Sequence, residues 1–101
     1  MKIRIAIEKD NKDIQDFFNH YGNKKIIMNR VNCYLTHNST IIAENHKEII
    51  GVVQWYLKEN PNAGVAELEE MFILEKYRGQ GIGERLLNFA ITNIKDFFNK
   101  T

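Results

Sequence analysis

Apolar and polar positions along the chain change period several times, and each change marks an element. Ile3, Ile5 and Ile7 alternate with other residues, the two-residue period of a strand with one buried face, so a strand is expected over Lys2–Ile7. Asp10 or Asn11 then offers a short side-chain oxygen to the free N–H groups of a helix start. Ile14, Phe17, Phe18 and Tyr21 follow at helical spacing, and Gly22 can close that helix in the left-handed conformation. The stretch from Asn23 to Leu35, apolar at 26, 27, 28, 31, 33, 34 and 35, predicts a shorter second helix. From Ser39 the chain reads as extended. Thr40–Glu44 and Ile49–Leu57 are rich in β-branched and aromatic residues, and Asn45–Glu48 between them has the length and polarity of a hairpin turn. Asn60–Gly64 holds the single proline and reads as a second turn, followed by a fourth strand over Val65–Leu74. Glu84–Lys100 is a strong helix, with Leu86, Leu87, Ala90, Ile91, Ile94, Phe97 and Phe98 on one stripe. The expected order is β-α-α-β-β-β-α.

Composition narrows the function classes. A chain of 101 residues is of single-domain size, and we treat 1–101 as one domain. With 44% hydrophobic and 27% charged residues it has the balance of a folded globular chain and not of a disordered one. A net charge of +1 gives no basic surface for nucleic acid. No apolar run is long enough to span a bilayer, and Met1–Arg4 begins a strand pattern, not a signal peptide, so no membrane role is expected. Cys33 is the only cysteine, which excludes an internal disulfide and favours a reducing, cytoplasmic setting. No motif surrounds it, so a buried structural thiol is expected there. His46 has no other metal-type residue spaced to join it and reads as a solvated turn residue, so no metal is expected.

The chemistry concentrates in Arg78-Gly79-Gln80-Gly81-Ile82-Gly83, between a strand and a helix. Glycines at alternate positions let the backbone turn tightly and approach a ligand with no Cβ between. The following helix points unpaired N–H groups and its positive dipole end into the loop, which suits phosphate oxygens, and Arg78 adds a charge beside it. A P-loop would need Gly-Lys-Ser/Thr at its end, which is missing. A Rossmann fingerprint would need G-x-G-x-x-G in an early βαβ unit, and this is G-x-G-x-G after three earlier strands. A tight glycine turn with no ligand is the plain alternative.

The run Glu67–Leu87 resembles motif A of the GNAT (Gcn5-related N-acetyltransferase) superfamily, whose signature Arg/Gln-x-x-Gly-x-Gly/Ala is met by Arg78, Gly81 and Gly83. Ile5-Ala6 with the helix start after it, and the hairpin Ile42-Ala43-Glu44…Ile50-Gly51-Val52-Val53, resemble the family's first strand, first helix and central hairpin. The resemblance implies an α/β (α+β) fold: a four-stranded, mainly antiparallel sheet, helices on both faces, open at the fourth strand. It implies acetyl-CoA as acyl donor, with no metal. The pantetheine arm would pair with the backbone of Met71, Phe72 and Ile73. The pyrophosphate would rest on N–H groups of Gly79, Gln80, Gly81, Ile82, Gly83 and Glu84, with Arg78 at the first signature position. The Met71 N–H is the implied donor to the thioester oxygen. The family transfers the acetyl group directly to an amine, so a base must first take a proton from the ammonium form. Leu68-Glu69-Glu70-Met71-Phe72-Ile73 resembles the polyamine acetyltransferase branch, which makes Glu69 the first candidate; Glu67 falls where histone-acetyltransferase-like members place theirs. Simple alternation puts Glu67 and Glu69 on one face and Glu70 on the other, unless a β-bulge, a family feature, re-aims it.

The family fold continues with a fifth strand, a fourth helix and further strands, and this sequence stops before them. The tyrosine that commonly protonates the thiolate lies on that fourth helix, and Tyr21, Tyr34, Tyr56 and Tyr77 do not match it. Three explanations stand open: a fragment, a second chain or a second copy that completes the sheet as a homo-oligomer, or a relative that no longer catalyses. The leading expectation is an N-acetyltransferase acting on an amine of a small molecule or a peptide, for which Glu67, Glu69, Glu70 and Glu75 provide an acidic surround. The alternative is a non-catalytic acyl-CoA-binding or interaction module.

Overall fold

Arg4 decides where the first strand ends. The computed structural model describes residues 1–21, 39–57 and 66–99, and in it β1 spans Lys2–Ile5. The Arg4 guanidinium donates to both oxygens of Asp10, at 2.8 and 3.0 Å, and through Nε to Glu44 at 3.0 Å. Asp10 also accepts from the Ile7 N–H at 2.8 Å. That bond draws the chain out of the sheet into a 3-10 turn, Glu8–Asp10, which runs on into α1, Asn11–Tyr21. Ile7, expected as the last residue of the strand, therefore falls outside β1 and is 49% exposed, while Ala6 is buried and its N–H still reaches the Thr40 carbonyl. The hydrogen bonds from Arg4 hold the Asp10 carboxyl below the usual carboxylate range, and those same bonds raise the guanidinium above its own.

The other strands are β2 (Thr40–Asn45), β3 (Glu48–Leu57) and β4 (Ala66–Ile73), in the order β1-β2-β3-β4 with every pairing antiparallel. The expected hairpin turn is present. His46 and Lys47 are both exposed and left-handed, with φ of 51° and 67°, as a two-residue hairpin turn demands. Ile41, Ile42 and Ala43 on β2 and Ile50, Val52 and Val53 on β3 are all buried, whatever their parity. Such continuous burial needs cover on both faces. On one face α1 brings Phe17 against Phe72 of β4, ring centroids 5.7 Å apart. On the other, α2 (Ile82–Asn99) sets Phe97 against Trp55 at 5.7 Å, and the Trp55 indole N–H donates to Asn93 at 2.9 Å. Val52 is the partner of Phe72, and Trp55 lies three residues on along β3, so these contacts mark opposite faces.

Gly51 sets how close the layers come. A Cβ there would lie 2.8 Å from Ile73 Cδ1 and 3.1 Å from Leu86 Cδ1, so its absence lets β4 and α2 close onto β3. The buried stripe of α2, Ile82, Leu86 and Ala90, is narrower than expected: Ile91 is 39% exposed. The helix also starts two residues before Glu84, since the Arg85 N–H bonds the Gly81 carbonyl at 3.1 Å. The second helix expected over Asn23–Leu35, with Cys33 and Tyr34, and the turn Asn60–Gly64 lie outside the described residues.

Candidate functional site

β4 is an edge strand among the described residues, and its register decides which backbone groups look outward. The Leu74 N–H donates to the Ile50 carbonyl at 2.9 Å. In an antiparallel pair the hydrogen-bonded positions alternate, so Phe72, opposite Val52, turns its N–H and C=O towards β3. Met71 and Ile73, opposite Val53 and Gly51, turn theirs to the open edge. Of the three residues expected to offer backbone to a pantetheine arm, Met71 and Ile73 present it, and the Phe72 amide is engaged within the sheet.

The same strand carries a β-bulge. Val53 pairs with Met71 and Trp55 with Leu68, so Gln54 alone faces Glu69 and Glu70. The extra residue shifts the alternation. Leu68 and Met71 share the α2 face, although strict period two would separate them. The expectation that counted Glu67 and Glu69 onto one face assumed an unbroken alternation, which the bulge interrupts just where Glu69 sits. The side chains of Glu69 and Glu70 lie outside the described residues. Glu67, before the bulge, stands opposite Tyr56, whose hydroxyl donates to its carboxylate at 2.5 Å in an exposed pair on the α1 face. Neither spacing nor composition pointed to Tyr56; its pairing depends on register, which only the hairpin geometry sets.

Beyond Ile73 the chain makes a 3-10 turn, Glu75–Tyr77, and then the loop. Gly79 and Gly81 both have left-handed φ, +80° and +79°, and a Cβ on either would meet nothing within 4 Å. Both requirements for a close backbone approach are met: a conformation suited to glycine and open space above it. The N–H groups of Gly81, Ile82, Gly83 and Glu84 precede the first intrahelical donor, Arg85, and point from the helix N-terminus. Gly83 differs from its neighbours in the loop. A Cβ there would make ordinary contact, 3.9 Å, with Met71 Cε and Ile73 Cγ1, which places the helix start against the outward-looking residues of β4. Gln80 reaches back to the Lys76 carbonyl at 3.4 Å. The Arg78 Nε–H donates to the Ile73 carbonyl at 2.9 Å, and its guanidinium carbon stands 5.3 Å from the centroid of the Phe72 ring. Among the described residues no three His, Cys, Asp or Glu side chains converge as metal ligands, and no helix is long and apolar enough to cross a membrane.

Sequence comparison gives this geometry a family. The acetyltransferase (GNAT) domain model matches residues 36–100, from just before β2 to the end of α2. The chain belongs to the GNAT acetyltransferase family. The GNAT fold is shared with solved structures at low identity. One is Rv2747 from Mycobacterium tuberculosis, solved in complex with CoA and NLQ: TM-score 0.77, 14% identity, 96% of this chain covered and 59% of that one. A GNAT-family acetyltransferase from Streptococcus pneumoniae matches with a TM-score of 0.77 and 21% identity, covering 95% of this chain and 68% of its own. The aminoglycoside 6'-N-acetyltransferase of Acinetobacter haemolyticus matches with a TM-score of 0.73 and 19% identity, covering 96% and 73%. This GNAT chain thus spans little more than half the length of the Mycobacterium protein. A search of curated proteins returned no match.

Proposed function

We propose that the chain is an acetyl-CoA-dependent N-acetyltransferase that transfers the acetyl group directly to an amine within a ternary complex. One observation carries this reading: two left-handed glycines with open space above them lead into a helix N-terminus beside the side chains of Met71 and Ile73, whose backbone groups face the open edge. A diphosphate fits the first part and an amide-bearing arm the second. Gly79, Gln80, Gly81, Ile82, Gly83 and Glu84 would hold the pyrophosphate through N–H groups. Met71 and Ile73 would hold the arm by strand-like hydrogen bonds.

The acyl donor supplies an activated thioester carbonyl. An amine nitrogen forms a bond to that carbon, the carbon–sulfur bond breaks, and the leaving thiolate takes up the proton that the nitrogen sheds. The Met71 N–H, turned outward just after the bulge, would stabilise the negative charge on the carbonyl oxygen. Glu69, with Glu67 as the second candidate, would take the ammonium proton. The acceptor would be an amine on a small molecule or a peptide, met by the acidic surround of Glu67, Glu69, Glu70 and Glu75. The setting would be the cytoplasm. The far edge of β4 would be completed by a second chain or a second copy of this one, which light scattering at rising concentration would reveal.

Calorimetry with acetyl-CoA, beside Gly81→Val, tests the reading. Binding in the micromolar range (about −8 kcal/mol) that the valine weakens about a hundredfold is the expected result. No binding by the wild type would sink it. A non-catalytic acyl-CoA-binding module is the second reading, favoured by the engagement of the Glu67 carboxylate with the Tyr56 hydroxyl. Turnover of an amine that Glu69→Gln impairs would exclude it, whereas binding without turnover would establish it.

A further inference from the structure

Among the described residues the Arg78 side chain makes two contacts, both with β4. Its Nε–H is spent on the carbonyl of Ile73, 2.9 Å away. Its guanidinium lies against the Phe72 ring, which meets Phe17 of α1 edge-on at a centroid distance of 5.7 Å. The Ile73 carbonyl is the last outward acceptor on the open edge of β4. Arg78 has extended backbone and is followed at once by the left-handed Gly79, φ +80°. The bond thus ties the end of the strand to the beginning of the glycine loop, just ahead of the glycines that leave the backbone free.

From this geometry we infer that Arg78 is a positioning residue. It works as an N–H strut that fixes the loop against β4, and its positive charge is secondary. The inference rests on the proposed function for the ligand, but the strut itself does not. With the Ile73 carbonyl engaged, the open edge offers an arm two donors, the N–H groups of Met71 and Ile73, and one acceptor, the carbonyl of Met71. The donor atom can be separated from the charge by counting bonds. Glutamine carries its amide nitrogen the same number of bonds from Cα as the Nε of arginine, so it can make the strut without charge. Lysine has a carbon at that position and its ammonium one bond further on, so it keeps the charge and loses the donor. Methionine matches the length with neither.

Arg78→Gln, Arg78→Lys and Arg78→Met, each at an exposed side chain, are compared with the wild type in two measurements. Backbone order parameters for Gly79–Gly83, without ligand, should stay near about 0.85 in the wild type and in Arg78→Gln. They should fall towards about 0.6 in Arg78→Lys and Arg78→Met. Acetyl-CoA affinity by calorimetry should drop about fivefold in the Lys and Met variants, the worth of one hydrogen bond. The Gln variant should lose no more than about twofold. Wild-type order and affinity in Arg78→Lys, with Arg78→Gln as impaired as Arg78→Met, would overturn the strut in favour of charge. If the wild type does not bind acetyl-CoA, the proposed function fails, and the order parameters alone decide the strut.

Discussion

Among the described residues the chain turns through left-handed backbone in two places, the β2–β3 hairpin and the loop before α2, and it does so with opposite residues. The hairpin uses His46 and Lys47, with φ of 51° and 67°; the loop uses Gly79 and Gly81, with φ of 80° and 79°. If conformation were the whole requirement, both sites would suit glycine equally. The hairpin accepts side chains there at a cost of about 1 kcal/mol each, because the sheet pairing on either side supplies the difference. The loop keeps glycine and also keeps the space above it empty. Left-handed backbone in the hairpin therefore serves the turn, and in the loop it leaves room for the approach proposed above. Gly51 is a third case: its φ is not left-handed, and β4 and α2 fill the space a Cβ would occupy.

Breaking this comparison should give graded results. The largest effect is expected at Gly81→Val, with a loss of acetyl-CoA affinity of about a hundredfold, roughly 2.7 kcal/mol, read by calorimetry. Retained affinity would mean the open space serves no ligand. Gly51→Ala should cost the fold about 1–3 kcal/mol in urea melts, since Ile73 and Leu86 must move, and should weaken binding only through that loss. Replacing His46-Lys47 with Asn-Gly should raise stability by about 1 kcal/mol and leave affinity for acetyl-CoA untouched. Gly83→Ala should be the mildest of the backbone changes, within about 0.5 kcal/mol, because its Cβ meets Met71 and Ile73 at contact distance.

A third corner, Ile7–Asp10, turns with no left-handed residue and relies on charge. Arg4 lowers the Asp10 carboxyl in the folded state, so the stability this provides is present above the usual carboxylate range. It is lost as pH falls through the lowered value. Asp10→Asn should therefore flatten the acid limb of stability against pH; an unchanged limb would place the acid sensitivity elsewhere.

Periodicity located the strands and the last helix to within a few residues, because each buries a face of the right period. The misses follow from contacts that periodicity does not encode. Ile7 kept the alternation but was pulled away by Asp10, and α2 began earlier because Gly81, and not a later polar residue, supplies its first carbonyl. The bulge did leave a trace. Ala66 and Leu68, then Met71 and Ile73, keep period two within each pair, with two residues between the pairs where the period allows one. Read that way, the glutamates between Leu68 and Met71 mark the irregularity as well as the candidate base. The glycine loop was legible because its chemistry is local. The Tyr56–Glu67 pair and the bond from Arg78 to Ile73 were not, since both depend on how the strands and the loop register against each other.

The indole of Trp55 is the chain's only tryptophan. It is 1% exposed, packed on Phe97 and hydrogen-bonded to Asn93, both on the C-terminal half of α2. Nature has thus placed one optical probe at the seam between helix and sheet, remote in sequence from the glycines at the helix's other end. Its emission should shift to the red when α2 lifts from the sheet, so a fluorimeter can time the undocking of that helix without any added label.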